Sequence, residues 1–216
     1  MIRFVDREDA GRRLADRLQG SLPVSVVVGA VPRGGLPVAR LLADRLRAPL
    51  AIVPVGKLTS VVAPGLAFGA VDVDGEAILD PRIVASVGVS AGEREAERVR
   101  VRGGLRHALT RYEIEAPALA FAGSTVVIVD DGAATGLTLA AAVRYVRRHG
   151  APEVVVALPC AHSLAIARLE PRVDRLVDLW TDPDFAAVAS WYREYPPVTD
   201  EEVIAILRET SAAESA

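Results

Sequence analysis

The sequence predicts an α/β protein whose doubly wound, mainly parallel sheet forms the middle of three layers. Short apolar segments alternate along the chain with longer segments in which apolar residues recur at helical spacing. This alternation is typical of parallel strands covered by helices on both faces. The chain has 216 residues, of which 51% are hydrophobic and 25% charged, so it is long enough to form one domain around a sizeable core.

The first half of the chain predicts a buried strand at 24–30, a turn at 31–35, a helix at about 36–47 and a strand at 50–55. Residues 56–75 are rich in Gly, Pro and Ala and predict no regular element; so long a connection within a domain is usually functional or mobile. A short strand at 76–79 precedes a charged helix at 90–112, which opens with a capping box of Ser90 and Glu93. Gly103 and Gly104 are expected to bend or interrupt that helix.

The second half of the chain continues the alternation. It predicts a strand at 125–129, a helix at 137–149, a strand at 153–158, a helix at 162–169 and a strand at 173–179. An irregular segment rich in aromatic residues follows at 181–195. Thr199 then caps a final helix, with Glu202 completing a second capping box.

Composition and charge exclude several classes of function. The formal net charge is −3, whereas a nucleic-acid-binding protein would show a basic face. The longest apolar segment, at 116–129, is interrupted by Pro and Gly and is shorter than the ~18 residues that a membrane helix needs. The N-terminus is charged and lacks the apolar stretch of a secretory signal. With Cys160 as the single cysteine, we expect a cytoplasmic protein with no membrane or nucleic-acid partner and with Cys160 buried.

The strongest functional signal is the segment at 126–138, where four aliphatic residues are followed by Asp130, Asp131 and a loop of small residues. In open α/β sheets, ligands bind at the carboxyl ends of the strands. Small residues let backbone N–H groups converge on an anion, and a following helix N-terminus adds positive potential. The two acids are suited to accepting hydrogen bonds from sugar hydroxyls, or to holding a hard cation directly or through water. The segment therefore predicts a site for a phosphorylated sugar.

This segment resembles the phosphoribosyl-pyrophosphate (PRPP) signature of type I phosphoribosyltransferases. The resemblance implies that Asp130 and Asp131 contact the ribose 2- and 3-hydroxyls and hold Mg²⁺ directly or through water. It also implies that the ribose 5-phosphate is held by the residues of the loop: Gly132, Ala133, Ala134, Thr135, Gly136, Leu137 and Thr138.

Other segments extend the resemblance over roughly residues 20–195. The turn after the first strand matches the family's pyrophosphate-binding turn, which implies that Arg33, Gly34 and Gly35 contact pyrophosphate. Residues 56–75 fall where the family carries its active-site flap, and the sole lysine, Lys57, stands at its entry. We therefore expect Arg33, Lys57, Asp130 and Asp131 to be the catalytic residues.

The aromatic segment near the C-terminus is similar to the base-binding segment of hypoxanthine-guanine enzymes. By that analogy Phe185 or Trp180 would stack on a base and Val188 would offer backbone contacts. The alternative is an aromatic cluster that packs the edge of the core. The N-terminus and residues 180–197 are expected to form the small hood that covers the acceptor in this family.

The implied function is transfer of a phosphoribosyl group from PRPP·Mg²⁺ to a nucleobase-like, small-molecule acceptor, by a protein that forms a homodimer. Two positions depart from the family pattern. Ala134 stands where hypoxanthine-guanine enzymes place an acid, and Pro64 and Gly65 stand where related bacterial proteins read Pro-Glu. The alternative is a non-catalytic protein on the same fold that senses PRPP or a nucleotide.

Overall fold

A parallel sheet of five strands forms the centre of the computed structural model, which describes residues 3–22, 25–63 and 65–214. In chain order the elements are α1 (Arg7–Leu18), β1 (Val26–Ala30), α2 (Gly35–Leu46), β2 (Leu50–Ile52), β3 (Val55–Thr59), β4 (Ala67–Asp72), β5 (Ala77–Leu79), α3 (Pro81–Val87), α4 (Ala91–Arg111), β6 (Thr125–Val129), α5 (Leu137–Arg148), β7 (Glu153–His162), α6 (Ser163–Leu169), β8 (Arg175–Asp182) and α7 (Asp200–Glu214). The predicted α/β class is confirmed.

The strand order places two loops side by side. The sheet runs β2-β1-β6-β7-β8, and all of its strand pairs are parallel. Ala30 at the end of β1 is in register with Val129 at the end of β6. The ladder continues one step further, where the N–H of Val31 donates to the carbonyl of Val129 at 2.9 Å. The turn at 31–35 and the loop after β6 therefore begin next to each other at one edge of the sheet.

Side chains alternate between two apolar layers on either face of the sheet, as the three-layer prediction requires. On one face the strands pack against α5 through a cluster that includes Val126, Ile128, Val154, Leu139 and Tyr145. On the other face they pack against α1, α2 and α7 through a cluster that includes Val28, Val127, Leu14, Leu42 and Val203. The helix α5, which follows the acidic pair, is thus fixed along its length by the core.

The prediction that residues 56–75 are irregular is wrong. The structure folds most of this segment into β3 and β4, which form an antiparallel three-stranded sheet with β5. Leu58, Phe68 and Val71 are buried beneath it, so the segment has its own small core. The tip between β3 and β4 and the turn after β4 lack strand structure, and Pro64 of that tip lies outside the described residues.

Two further expectations are corrected. The helix α4 is not interrupted at Gly103 and Gly104, because a glycine in a helix costs only about 0.5–1 kcal/mol relative to alanine and a capping box fixes its first turn. The strand β8 extends to Asp182 rather than ending at 179, so Trp180 lies on a strand, paired with Cys160, and the irregular segment begins after Asp182. The capping box of Thr199 and Glu202 is confirmed, as is the burial of Cys160.

Within the described ranges, no helix combines the length and apolar character needed to cross a bilayer.

Candidate functional site

The phosphate loop, residues 132–138, connects β6 to α5 at the carboxyl edge of the sheet. It is hydrogen-bonded to β7. The N–H of Ala133 donates to the carbonyl of Cys160 at 3.0 Å, and the carbonyl of Ala133 accepts from the N–H of His162 at 2.8 Å. Gly136 has a φ of 72°, in the left-handed region that favours glycine. Ala134 is exposed and Thr135 and Thr138 are half-buried, so the loop has an accessible side.

Several amide groups of the phosphate loop are available to a ligand. Within the part of the chain that the structure describes, the N–H groups of Ala134, Thr135 and Gly136 have no hydrogen-bond acceptor. The N–H of Leu137, the first residue of α5, makes only a long contact of 3.5 Å to Thr135 Oγ1. Free N–H groups at the N-terminus of a helix, where the helix dipole is positive, form an anion-binding site. This geometry supports the expected phosphate site.

The two acids after β6 have different environments. Asp130 is partly exposed, and its Oδ1 accepts from the N–H of Asp131 at 2.9 Å. Burial of its carboxyl group, followed by the nearby Asp131 carboxylate, raises the pKa of Asp130 well above its ordinary value, while Lys57 acts in the opposite direction. Asp131 is only 6% exposed. Its Oδ2 accepts from Arg7 Nε at 2.9 Å and from the Tyr195 hydroxyl at 2.7 Å.

The turn at 31–35 packs directly against these acids. A Cβ atom on Gly34 would clash with the Asp131 carboxylate, and one on Gly35 would lie 2.7 Å from the carbonyl oxygen of Val129. Glycine at both positions therefore allows the backbone to approach the end of β6. Gly35 is also the first residue of α2, so a second helix begins at the acidic pair.

Among the described residues, two expected catalytic side chains form no hydrogen bond or ion pair with the acids. The Arg33 side chain is 55% exposed, and its Nη1 lies 3.4 Å from Oδ1 of Asp200, at the start of α7. Lys57 is exposed on β3 and is paired with Ala70 of β4. Its charge acts on the Asp130 carboxyl group, but no hydrogen bond joins these two described side chains.

The three residues expected to bind a base have different environments. Phe185 is 6% exposed and its ring stacks on Trp191, with 5.7 Å between centroids, which is the core-edge packing of the alternative interpretation. Trp180 is 41% exposed, and the Arg3 guanidinium lies 4.2 Å over its ring. Val188 is half-buried against the phosphate loop, since a Cβ on Gly132 would lie 2.8 Å from its Cγ1.

The two segments expected to form the hood contact each other. Phe4 forms a parallel bridge with Tyr192, and its carbonyl accepts from the N–H of Arg193 at 2.9 Å. The Tyr192 hydroxyl donates to the carbonyl of Asp131 at 2.6 Å. The N-terminal segment and the 191–195 segment are therefore joined to one another and to the end of β6.

Sequence reasoning missed three residues that hold the site, namely Arg7, Tyr195 and Arg168. The first two bind the Asp131 carboxylate, as described above. Arg168 on α6 donates from Nη1 to the carbonyl of Thr135 at 2.5 Å and forms an ion pair through Nη2 with Asp80. These contacts link segments far apart in the chain, and no local pattern in the sequence signals them.

Together, the open loop, the acids and the glycine turn at the carboxyl edge of a parallel sheet define an α/β protein with a candidate anion-binding site. Residues 94–181 match the family model of the phosphoribosyl transferase domain. The crystal structure of TT1426 from Thermus thermophilus is 41% identical, with a TM-score of 0.76, over 96% of this chain and 99% of that chain. The chain belongs to the phosphoribosyl transferase family.

Two curated relatives come from the Mycobacterium tuberculosis strains CDC 1551 and H37Rv, and each is named provisionally as a phosphoribosyl transferase. Each is 39% identical over 204 residues, which cover 94% of this chain. They cover 46% of each relative, so the chain spans about half the length of the curated relatives it matches.

Proposed function

We propose that the chain is a phosphoribosyltransferase that binds PRPP with Mg²⁺ and displaces pyrophosphate with a nucleobase-like acceptor. The observation that carries this proposal is the set of unbonded N–H groups of Ala134, Thr135 and Gly136 beside the Asp130 carboxylate. The glycine turn provides a second group of donors, because no described residue accepts from the N–H of Arg33 or Gly34. Two anion-binding segments flanking a hydrogen-bond acceptor match a sugar that carries a phosphate and a diphosphate.

In this mechanism the chain positions its substrate and stabilises charge. The phosphate loop holds the 5-phosphate, and the Asp130 carboxylate accepts hydrogen bonds from ribose hydroxyls. As the bond from C1 to the diphosphate breaks, negative charge increases on the leaving group. The N–H groups of Arg33 and Gly34 stabilise this charge at the N-terminus of α2. Ala134 carries no proton-accepting group, so the loop itself does not deprotonate the acceptor.

The residues at the site fit a magnesium ion that arrives with the diphosphate. Among the described residues, no group of three or more His, Cys, Asp or Glu side chains could enclose a metal ion. Mg²⁺ usually keeps several waters and binds through one or two carboxylates together with substrate phosphates, and Asp130 can serve as such a carboxylate, directly or through water. When bound, Mg²⁺ would neutralise charge on the diphosphate.

Isothermal titration with PRPP and MgCl₂ tests the site. We expect heat of binding with the unmodified chain and with Asp16→Asn, a control that changes an exposed acid on α1. We expect a loss of about tenfold or more in affinity for Asp130→Asn, because a charged hydrogen-bond acceptor is removed. Equal affinities for Asp130→Asn and the unmodified chain would contradict the assignment.

A non-catalytic PRPP-sensing protein is the second candidate. The observation that favours it is the contact between Arg33 and Asp200, which occupies the side chain expected at the diphosphate. A screen of nucleobases for base-dependent release of pyrophosphate separates the two. Release with any base supports the enzyme, whereas PRPP binding without release across the screen supports the sensor.

A further inference from the structure

Protein groups bond to three polar atoms of Asp131, namely its N–H, its carbonyl oxygen and Oδ2. Its Oδ2 accepts two hydrogen bonds, from Arg7 and Tyr195, and its carbonyl oxygen accepts from the Tyr192 hydroxyl. The Arg7 and Asp131 side chains are 9% and 8% exposed. A carboxylate so bonded and desolvated has its charge compensated within the protein and would lose those bonds if it turned toward a ligand.

The groups that hold Asp131 are themselves interlocked. The Arg7 guanidinium lies 3.8 Å over the ring of Tyr195, and its Nη1 donates to the carbonyl of Pro196 at 2.7 Å. Arg7 is in the first turn of α1, so one guanidinium joins that helix, the segment at 195–196 and the residue that precedes the phosphate loop. This arrangement differs from that of Asp130, whose side chain accepts a hydrogen bond from the neighbouring backbone N–H of Asp131.

We propose that the two adjacent acids have separate roles. Asp130 alone accepts hydrogen bonds from the ribose hydroxyls. Asp131 is an anchor, and Arg7 and Tyr195 are positioning residues that use it to hold the N-terminal helix and the 191–196 segment against the phosphate loop. This inference rests on the proposed function, and it changes the expectation that both acids contact the sugar.

The test compares ribose 5-phosphate with its 2-deoxy and 3-deoxy analogues, and the readout is the ratio of their dissociation constants. A contact between a carboxylate and a hydroxyl makes the unmodified chain prefer ribose 5-phosphate by about tenfold or more over at least one analogue. We expect Asp130→Asn to lose this preference. We expect Asp131→Asn to weaken all three sugars by a similar factor while the preference remains.

Two further variants keep the inference testable if Asp131→Asn does not fold. Tyr195→Phe removes one donor but keeps the ion pair, and the double variant Arg7→Met/Asp131→Asn leaves no unpaired buried charge. Both should retain the preference for ribose 5-phosphate, and both should unfold at lower urea concentration than the unmodified chain.

The outcomes separate this inference from the proposed function. Loss of the preference in Asp131→Asn or in the double variant would overturn the separate roles, and so would equal affinity of the unmodified chain for all three sugars. If the unmodified chain bound neither PRPP nor ribose 5-phosphate, the proposed function itself would fail.

Discussion

Replacing Gly35 with alanine tests whether the glycine turn lies against the end of β6. The new Cβ would lie 2.7 Å from the carbonyl oxygen of Val129 and 2.8 Å from Cα of Asp130. Both atoms belong to the backbone that continues from a central strand, so neither can rotate away. Overpacking of this kind costs about 1–3 kcal/mol, and we expect the turn to move away from the acids.

Gly103→Ala is the matched control, because it makes the same chemical change inside α4, where nothing lies within 4 Å of the new Cβ. Alanine there should raise the free energy of unfolding by about 0.5–1 kcal/mol. Gly35 is the first residue of α2 and gains no more helix propensity than Gly103, so a loss of about 1–3 kcal/mol in Gly35→Ala reports the packing cost.

Urea denaturation followed by circular dichroism measures both free energies of unfolding, and calorimetry measures PRPP affinity. Gly35→Ala should lose stability and affinity together, whereas Gly103→Ala should keep its affinity. If Gly35→Ala were as stable as Gly103→Ala, or if it bound PRPP as tightly as the unmodified chain, the reasoning about the turn would be refuted.

Three other changes give distinct results. Arg168→Met removes the donor that fixes the Thr135 carbonyl, and should weaken ribose 5-phosphate about tenfold while leaving diphosphate affinity unchanged in calorimetry. Asp200→Asn releases Arg33 and should tighten diphosphate binding by up to about fivefold; weaker binding would contradict it. A hydrogen bond from a β7 backbone N–H lowers the pKa of Asp174, so its stabilisation is complete above about pH 4 and is lost as pH falls through the lowered pKa. The difference in unfolding free energy between the unmodified chain and Asp174→Asn should therefore shrink in urea titrations at lower pH.

The fold class was predictable because strongly apolar strands and periodic helices follow one another without ambiguity. The antiparallel sheet was not, since Gly56 and Gly69 interrupt the alternation of β3 and β4 and Pro54 obscures where one sheet ends and the next begins. In both glycines the missing Cβ leaves room for a neighbour, with Val101 packing on Gly56 and the backbone of Ile78 on Gly69. Tertiary packing therefore decided a segment whose local composition indicated a loop.

The candidate site likewise has one part that the sequence could predict and one part that it could not. The phosphate loop and the acids are contiguous in the chain, so their chemistry could be inferred from the residues together with the resemblance. The partners of Asp131 could not, because Arg7 is 124 residues and Tyr195 is 64 residues away in sequence. An arginine in an N-terminal helix and a tyrosine in an aromatic segment have no local feature that predicts a shared carboxylate.

Because Cys160 is buried, its reactivity reports opening of the carboxyl edge of the sheet. Its Sγ lies 3.7 Å from the carbonyl oxygen of Asp131 and next to Gly132, in the apolar cluster that joins the two ends of the chain. Burial raises the pKa of this thiol, so a thiol-specific reagent can react only in molecules where that edge has separated. Because the sequence has no second cysteine, the labelling rate of the native protein would measure how often this edge opens. A bound sugar phosphate should slow the labelling.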